Sequence, residues 1–249
     1  MKPIKIKLSI LKALIIERIL RFFFNRYINR KYLKGIGMEV GPGENPIATS
    51  KNTIFLEKFV DNYDEIFPKA QKEKFVNGSA EDIPAQDNSF DFIVSAHCLE
   101  HCVDPIKVLK EFKRVVKSCG VIFLILPHCE RTFDKGRTIS SLDSHIFDHE
   151  FQVKKEDYLE NKGKYYDIFE EFLQIATQWP RHSWISSAKN KDGSWNKSRI
   201  LDGNFMHYHV WTQNEISELL KYVGCSITLL MDVMPGRHDS FIVVAKVQK

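Results

Sequence analysis

Cysteine is sparse and unpatterned. The chain has five, at 98, 102, 119, 129 and 225, an odd number with no C-x-x-C pair. That argues against a disulfide framework and for reduced thiols in a cytoplasm. Long apolar runs are missing too. The stretch LSILKALIIERILRFFFNRYI is broken by Lys12, Glu17, Arg18 and Arg21, so it falls short of the ~20 apolar residues that a membrane span needs. No small-residue cleavage site follows it, which argues against a signal peptide. Internal repeats and low-complexity linkers are also lacking. The net charge, +4, is too small to mark a nucleic-acid binder. That charge is concentrated: residues 1–35 carry ten Lys or Arg against one acid, Glu17, and leave the remainder mildly acidic. Residues 1–35 are therefore expected to form a basic amphipathic helix. Its apolar side either packs on the domain or makes weak contact with an anionic membrane.

What is present reads as an α/β domain. The runs IGMEV (36–40), NTIFLE (52–57), FVNG (75–78), FDFIVS (90–95) and GVIFLILP (120–127) are short and nearly continuously apolar, as expected of strands covered on both faces. DPIKVLKEFKRVVKS follows the fourth, with Ile106, Leu109, Phe112, Val115 and Val116 at helical spacing. Asp104 suits its N-cap and Pro105 its first turn. TQNEISELLKYV is a second amphipathic helix, and SITLLMDV and SFIVVAKV flank MPGRHD as an antiparallel hairpin. The expected fold is a Rossmann-like, doubly wound, seven-stranded sheet, mostly parallel, with a C-terminal antiparallel hairpin. Residues 128–210 break the alternation. They hold six of the nine histidines and three of the four tryptophans, with Trp211 at their border. They are expected to be an insertion after the fifth strand, a lid or substrate-binding segment within a domain spanning 36–249.

One string poses a chemical question. His97, Glu100 and His101 spell H-x-x-E-H, a spacing that some zinc proteases use, and Cys98 and Cys102 lie beside them. A zinc site of that kind needs a longer helix and a further ligand. Here an apolar strand leads straight into the string.

Three segments resemble the class I S-adenosyl-L-methionine (SAM)-dependent methyltransferases of the type 11 kind: GMEVGPGENP, then GSAEDIPAQDNSFDFIVSAHCLEHCVDPIKVLKEFKRVV, then KSCGVIFLILPH. The likeness covers residues 36–128 and 211–249. The downstream HCERTFDKGRTISSLDSHIFDHE and HYHVWT are similar to methyltransferases of capsule and O-antigen polysaccharide biosynthesis. In such relatives S-x-H-x-x-E-H commonly follows the fourth strand, so the string implies a cofactor-side turn and no metal. Glu100 and His101 then anchor the turn.

The resemblance implies SAM as cofactor and assigns roles. Gly41, Pro42 and Gly43 form the turn whose backbone N–H groups face the SAM carboxylate. Glu39 offsets the ammonium and Glu57 grips the ribose hydroxyls. Ser79, Ala80 and Glu81 read the adenine edge, and Ser95 and His97 stand beside the sulfonium. Two departures matter. Asn45 and Pro46 replace the expected third glycine, and only 13 residues separate Gly43 from Glu57, too few for a full helix and a strand. A loop is expected there, and a nicotinamide fingerprint is disfavoured.

For the acceptor, a general base is expected to remove a hydroxyl proton. His128, at the C-terminal end of the fifth strand, is the favoured base, with His97 as the other histidine candidate and Asp134 orienting or replacing the base. Arg131 and Arg137 around TFD could clamp a diphosphate, and His209 could touch substrate. The function expected is O-methylation of a sugar or nucleotide-activated sugar precursor of a surface polysaccharide. The alternatives are a small phosphorylated, lipid or quinone acceptor, or a non-catalytic SAM-binding module. The partner expected is a small molecule and not nucleic acid, and the location cytoplasmic.

Overall fold

A computed structural model describes residues 8–43, 46–58, 74–160, 163–178, 185, 187–202 and 205–249. Asn45, Trp179 and Trp184, singled out in the sequence, lie outside them. The elements are α1 (Leu8–Lys31), β1 (Gly37–Val40), β2 (Thr53–Glu57), β3 (Phe75–Asn77), β4 (Phe90–Ala96), α2 (Pro105–Val115) and β5 (Val116–Pro127). They continue as α3 (Leu142–Glu150), α4 (Lys164–Ala176), α5 (Lys197–Asp202), α6 (Gln213–Tyr222), β6 (Cys225–Met231) and β7 (Ser240–Val247). The seven strands form one sheet in the order β3-β2-β1-β4-β5-β7-β6. β1 to β5 pair in parallel, and β7 runs antiparallel to both β5 and β6.

Both faces of the sheet are covered, which explains the unbroken apolar strands. On one face Ile93, Ile122, Leu124 and Val243 pack with α2 and α6 through Leu109, Phe112, Ile216 and Leu220. On the other, Phe92, Val94, Phe123, Ile125 and Ile242 pack with Phe24 and Ile28 of α1, together with Ile47 and Ala48. Thus the C-terminal half of α1 is a layer of the domain. α2 starts as the sequence predicts: Asp104 Oδ1 accepts from Lys107 N–H at 2.9 Å, and Pro105 occupies the first turn. Such a cap contributes about 1 kcal/mol.

One boundary differs from the sequence reading. β5 begins at Val116 rather than 120, so KSCG belongs to the strand, with a register shift opposite Phe90 and Phe92. In the span between β1 and β2, residues 41–43 and 46–52 contain no helix, as the short spacing predicts. Helices α4 and α5, within residues 128–210, share a core of their own that includes Tyr158, Phe169, Phe172, Ile200, Met206 and Tyr208, whereas Leu142 and Ile146 of α3 pack on the main core. No helix among the described residues is long and apolar enough to cross a membrane.

Candidate active site

The C-terminal ends of β1, β2 and β4 open on a cavity of ≈ 710 Å³. Gly41 and Gly43 line it where the chain leaves β1, both in the left-handed region at φ 64 and φ 56. That region costs an L side chain about 1–2 kcal/mol, so glycine is the residue that fits. A Cβ on Gly41 would also stand 3.2 Å from Cys98 Sγ, so the hollow depends on its absence. Glu57 closes β2 at the cavity wall, and Lys58 N–H donates to its Oε1 at 2.9 Å. Ser79, Ala80 and Glu81 follow β3 as a tight turn in which Glu81 N–H donates to Ser79 Oγ at 3.3 Å. The Glu81 carboxylate pairs with Lys107 at 3.1 Å. Small backbone-exposing residues, an acid at a strand end and a polar turn fit the carboxylate, ribose and adenine of SAM.

After β4 the chain turns sharply. His97 lines the cavity with φ 52, a conformation a non-glycine residue holds only when its surroundings fix it. Those surroundings are visible. Its N–H donates to Ile125 carbonyl at 2.9 Å, and its Nε2 is 2.8 Å from Ser240 Oγ. Its Nδ1 stands 3.4 Å from Glu100 Oε1. Cys98, His101 and Cys102 also line the wall. Cys98 and Cys102 pack partly buried against the main core as well as lining the wall. Burial pushes His101 down to about 4, leaving it neutral near pH 7. Burial alone would raise Glu100, but His97, His101 and His207 draw it down to about 2.

The roof comes from the insertion. Val153, Lys155, Leu201, Asp202 and Tyr208 face the β-strand ends across the cavity. Tyr208 N–H donates to the Glu100 carbonyl at 2.8 Å, tying the roof to the β4 turn. Its ring meets Tyr158 edge-on at 4.8 Å in the insertion's own core. The roof residues escaped sequence reading, although the HYHV alternation carried a signal: it sends Tyr208 to the side opposite His207 and His209.

Several sequence candidates sit elsewhere, and their roles are corrected accordingly. Glu39 is fully buried beneath the turn. Its carboxylate accepts from Ile47 N–H at 2.8 Å and Ala48 N–H at 2.8 Å, so it holds the loop that replaces a helix instead of meeting the ligand. Pro42 and Ser95 are buried and do not line the cavity. His128 turns away at the end of β5, because β7 pairs up to Pro127 and Asp232 lies 3.2 Å from its Nε2. Arg131 joins the same acid at 3.0 Å. Asp134, Arg137 and His207 form a buried network: Arg137 donates to Asp134 at 2.7 Å and to the His207 carbonyl at 2.8 Å. His209 is buried, with Nε2 3.0 Å from the Val103 carbonyl and its ring beside His145 and Trp211. Of the proposed catalytic residues, only His97 reaches the cavity.

Residues 53–124 match the family model of a methyltransferase domain. The ajmaline N-methyltransferase of Rauvolfia serpentina is 42% identical over 60 residues, 24% of this chain and 20% of that protein. The demethylmenaquinone methyltransferase of Staphylococcus aureus (strain MRSA252) is 30% identical over 102 residues, 37% of this chain and 42% of that protein. The chain therefore spans less than half the length of these curated relatives. A solved SAM-dependent methyltransferase from Thermotoga maritima has the same fold, with a TM-score of 0.50 at 15% identity over 96% of this chain and 95% of that one. From β2 into β5 the chain thus matches a methyltransferase domain, and its fold is the Rossmann-like fold of a solved SAM-dependent methyltransferase.

Proposed function

We propose that this chain transfers a methyl group from SAM to an oxygen of a small-molecule acceptor. The observation that carries the reading is the convergence of Gly41, Gly43, Glu57, Ser79, Ala80, Glu81 and His97 on one roofed cavity. SAM supplies an electrophilic methyl group on a sulfonium. The lack of side chains at Gly41 and Gly43 leaves room for its carboxylate, the Gly41 N–H itself being held by the Leu56 carbonyl at 2.9 Å, while Glu57 suits its ribose hydroxyls and the Ser79–Glu81 turn its adenine. The roof holds the acceptor in line with the methyl group, which removes much of the entropic barrier. In this reading the base role first given to His128 goes to His97, which lines the cavity. The Lys155–Asp202 ion pair and Tyr208 give the roof hydrogen-bonding groups, a set that suits a hydroxylated acceptor such as a sugar or an activated sugar. The surface-polysaccharide assignment rests on the TFDKGR resemblance alone.

A second reading, a lipid or quinone acceptor, is favoured by α1. Ile15, Ile16, Ile19, Leu20, Phe22, Phe23 and Tyr27 are exposed. At 100° per residue they fill an arc of roughly 160°, away from buried Phe24 and Ile28. Arg18, Arg26 and Lys31 are exposed around this arc, an arrangement suited to an anionic bilayer surface.

Calorimetric titration with SAM and S-adenosylhomocysteine tests the cofactor reading: binding of both is expected, and a folded sample that binds neither overturns it. Methyl transfer to activated sugars, compared with quinones in anionic vesicles, separates the acceptors. Vesicle co-sedimentation together with turnover of the quinone alone would replace the sugar reading.

A further inference from the structure

The Glu100 side chain is fully buried, and among the described residues neither carboxylate oxygen has a hydrogen-bond partner. Facing it are two imidazoles, His101 and His207, with ring centroids 4.8 Å apart. One ligand atom from each of the three residues lies within 4.8 Å of the others, and His207 Nε2 is 4.0 Å from Glu100 Oε1.

The outer bonds of the two rings fix which nitrogen faces inward. His207 Nδ1 is 2.7 Å from Asp134 Oδ2, and His101 Nδ1 is 2.8 Å from the Met206 carbonyl. A carbonyl and an ionised carboxylate only accept, so both Nδ1 atoms carry the proton. In the neutral rings each Nε2 then presents a lone pair toward the Glu100 carboxylate. The Glu100 carboxylate and the two imidazoles converge in one buried space, with His97 Nδ1 3.4 Å from Glu100 Oε1 on the cavity side. An unpaired buried carboxylate costs several kcal/mol, and lone pairs beside it add repulsion. A histidine whose second nitrogen is bonded to a carboxylate or a carbonyl is the arrangement that orients metal ligands.

We propose that Glu100, His101 and His207 bind a divalent first-row cation of the Zn²⁺ type. Two imidazoles and a carboxylate suit such an ion and not Mg²⁺ or Ca²⁺, which prefer all-oxygen shells. Tetrahedral ligands at about 2.1 Å from a metal lie about 3.4 Å apart. The 4.0 Å separation of His207 Nε2 and Glu100 Oε1 closes to that with a shift of about half an ångström. The H-x-x-E-H string thus provides two ligands, and the insertion supplies the third that the sequence reading lacked. This revises the expectation of no metal.

Of the three residues His101 lines the cavity, while Glu100 and His207 lie buried behind its wall. The role there rests on the methyl-transfer reading. An ion held by these residues would act as a Lewis acid and make an acceptor hydroxyl that reached it lose its proton more readily, to solvent. The oxygen then forms the bond to the methyl carbon, and the sulfur keeps the electron pair of the broken carbon–sulfur bond.

The test uses the full chain, stripped with EDTA and titrated with Zn²⁺ by calorimetry and with Co²⁺ by visible absorption. One equivalent is expected to bind, with Co²⁺ bands of nitrogen and oxygen ligation and no thiolate charge-transfer band. Glu100→Gln and His207→Gln should each weaken Zn²⁺ at least about 100-fold, and Asp134→Asn about 10- to 100-fold. Zn²⁺, but not Mg²⁺ at the same concentration, should raise the wild-type melting temperature, a measurement independent of how the variants fold. Titration with S-adenosylhomocysteine on the same samples reports the cofactor site separately. No Zn²⁺ uptake by the wild type, a thiolate Co²⁺ spectrum, or undiminished binding by folded Glu100→Gln would overturn the site.

Discussion

Arg137 Nη1 stands 2.7 Å from Asp134 Oδ1, with each side chain only 1% exposed. The other Asp134 oxygen meets His207 Nδ1 at 2.7 Å, and Arg137 reaches on to the His207 carbonyl. Burial alone would raise the Asp134 carboxyl, but His207 and Arg137 hold it down to about 2. The TFDKGR motif is therefore a strut that fastens the loop after β5 to the strand-like segment 205–210. A diphosphate clamp would need Arg137 open to solvent, and its side chain is only 1% exposed.

Asp134→Ala should cost about 3–5 kcal/mol in urea unfolding at pH 7, because it leaves a buried guanidinium with only Glu171, 3.9 Å away, as counter-ion. The double variant Asp134→Leu with Arg137→Met should cost less than that single change, since no charge is then stranded. A single-variant loss below about 1 kcal/mol would show that water reaches Arg137 and that the strut is not dry.

Glu39 gives the fold a pH dependence of opposite sense to that of most carboxylates. Burial raises it from 4.5 to about 7, against the lowering effect of the Ile47 and Ala48 N–H bonds. Between those values the folded chain keeps a proton that the unfolded chain has released. The contribution is therefore complete below pH 4.5 and declines as pH rises to 7. It amounts to on the order of 3 kcal/mol. Glu39→Gln keeps an oxygen for the two N–H donors and removes the titration. Thermal melts of the variant should lose this component of the slope, and an unchanged slope would place the titration elsewhere.

The parts of the site that were legible in sequence are those carried by consecutive residues. Gly41, Gly43, Glu57, Ser79 and His97 each sit at or just beyond a strand end, and the parallel sheet brings such ends to one edge. α2 was legible because its cap and its apolar spacing are local. The roof was not, since Tyr208, Lys155 and Asp202 are placed by an insertion core of distant residues such as Phe169 and Met206. His128 was misjudged because a strand end faces the crevice only where its neighbour does not reach across it. Here β7 and Asp232 claim that position. Glu39 was misjudged because the loop it holds has no sequence marker beyond its shortness. The third ligand of the Glu100 cluster was invisible for the reason the roof was.

α1 should show two energetically separate sides. Ile28 is fully buried against Phe92, Val94 and Phe123, so Ile28→Ala is expected to destabilise by about 2–5 kcal/mol through the cavity it leaves. Phe22 is 63% exposed, and Phe22→Ser should change stability by no more than about 0.5 kcal/mol. If the exposed arc contacts a bilayer, Phe22→Ser with Phe23→Ser should lower anionic-vesicle binding at least several-fold while the melting temperature holds. Vesicle binding equal to that of the wild type would remove the lipid reading.

Gly41 separates the demands of the cofactor turn from those of the fold. Its φ of 64 costs an alanine about 1–2 kcal/mol, and the new Cβ would stand 3.2 Å from Cys98 Sγ, tight but not prohibitive. Two outcomes are open to the chain: it can carry the strain with the turn intact, or relax the turn and lose the hollow. In the second case Gly41→Ala melts close to the wild type yet binds S-adenosylhomocysteine at least 10-fold more weakly. That is the expected result, because a short loop between β1 and β2 has slack that a helix start would lack. Cys98→Ala in the same chain removes the sulfur contact but not the backbone strain, so affinity should recover only in part. Full recovery would assign the loss to crowding at Cys98, and undiminished binding by Gly41→Ala alone would place the cofactor carboxylate away from this turn.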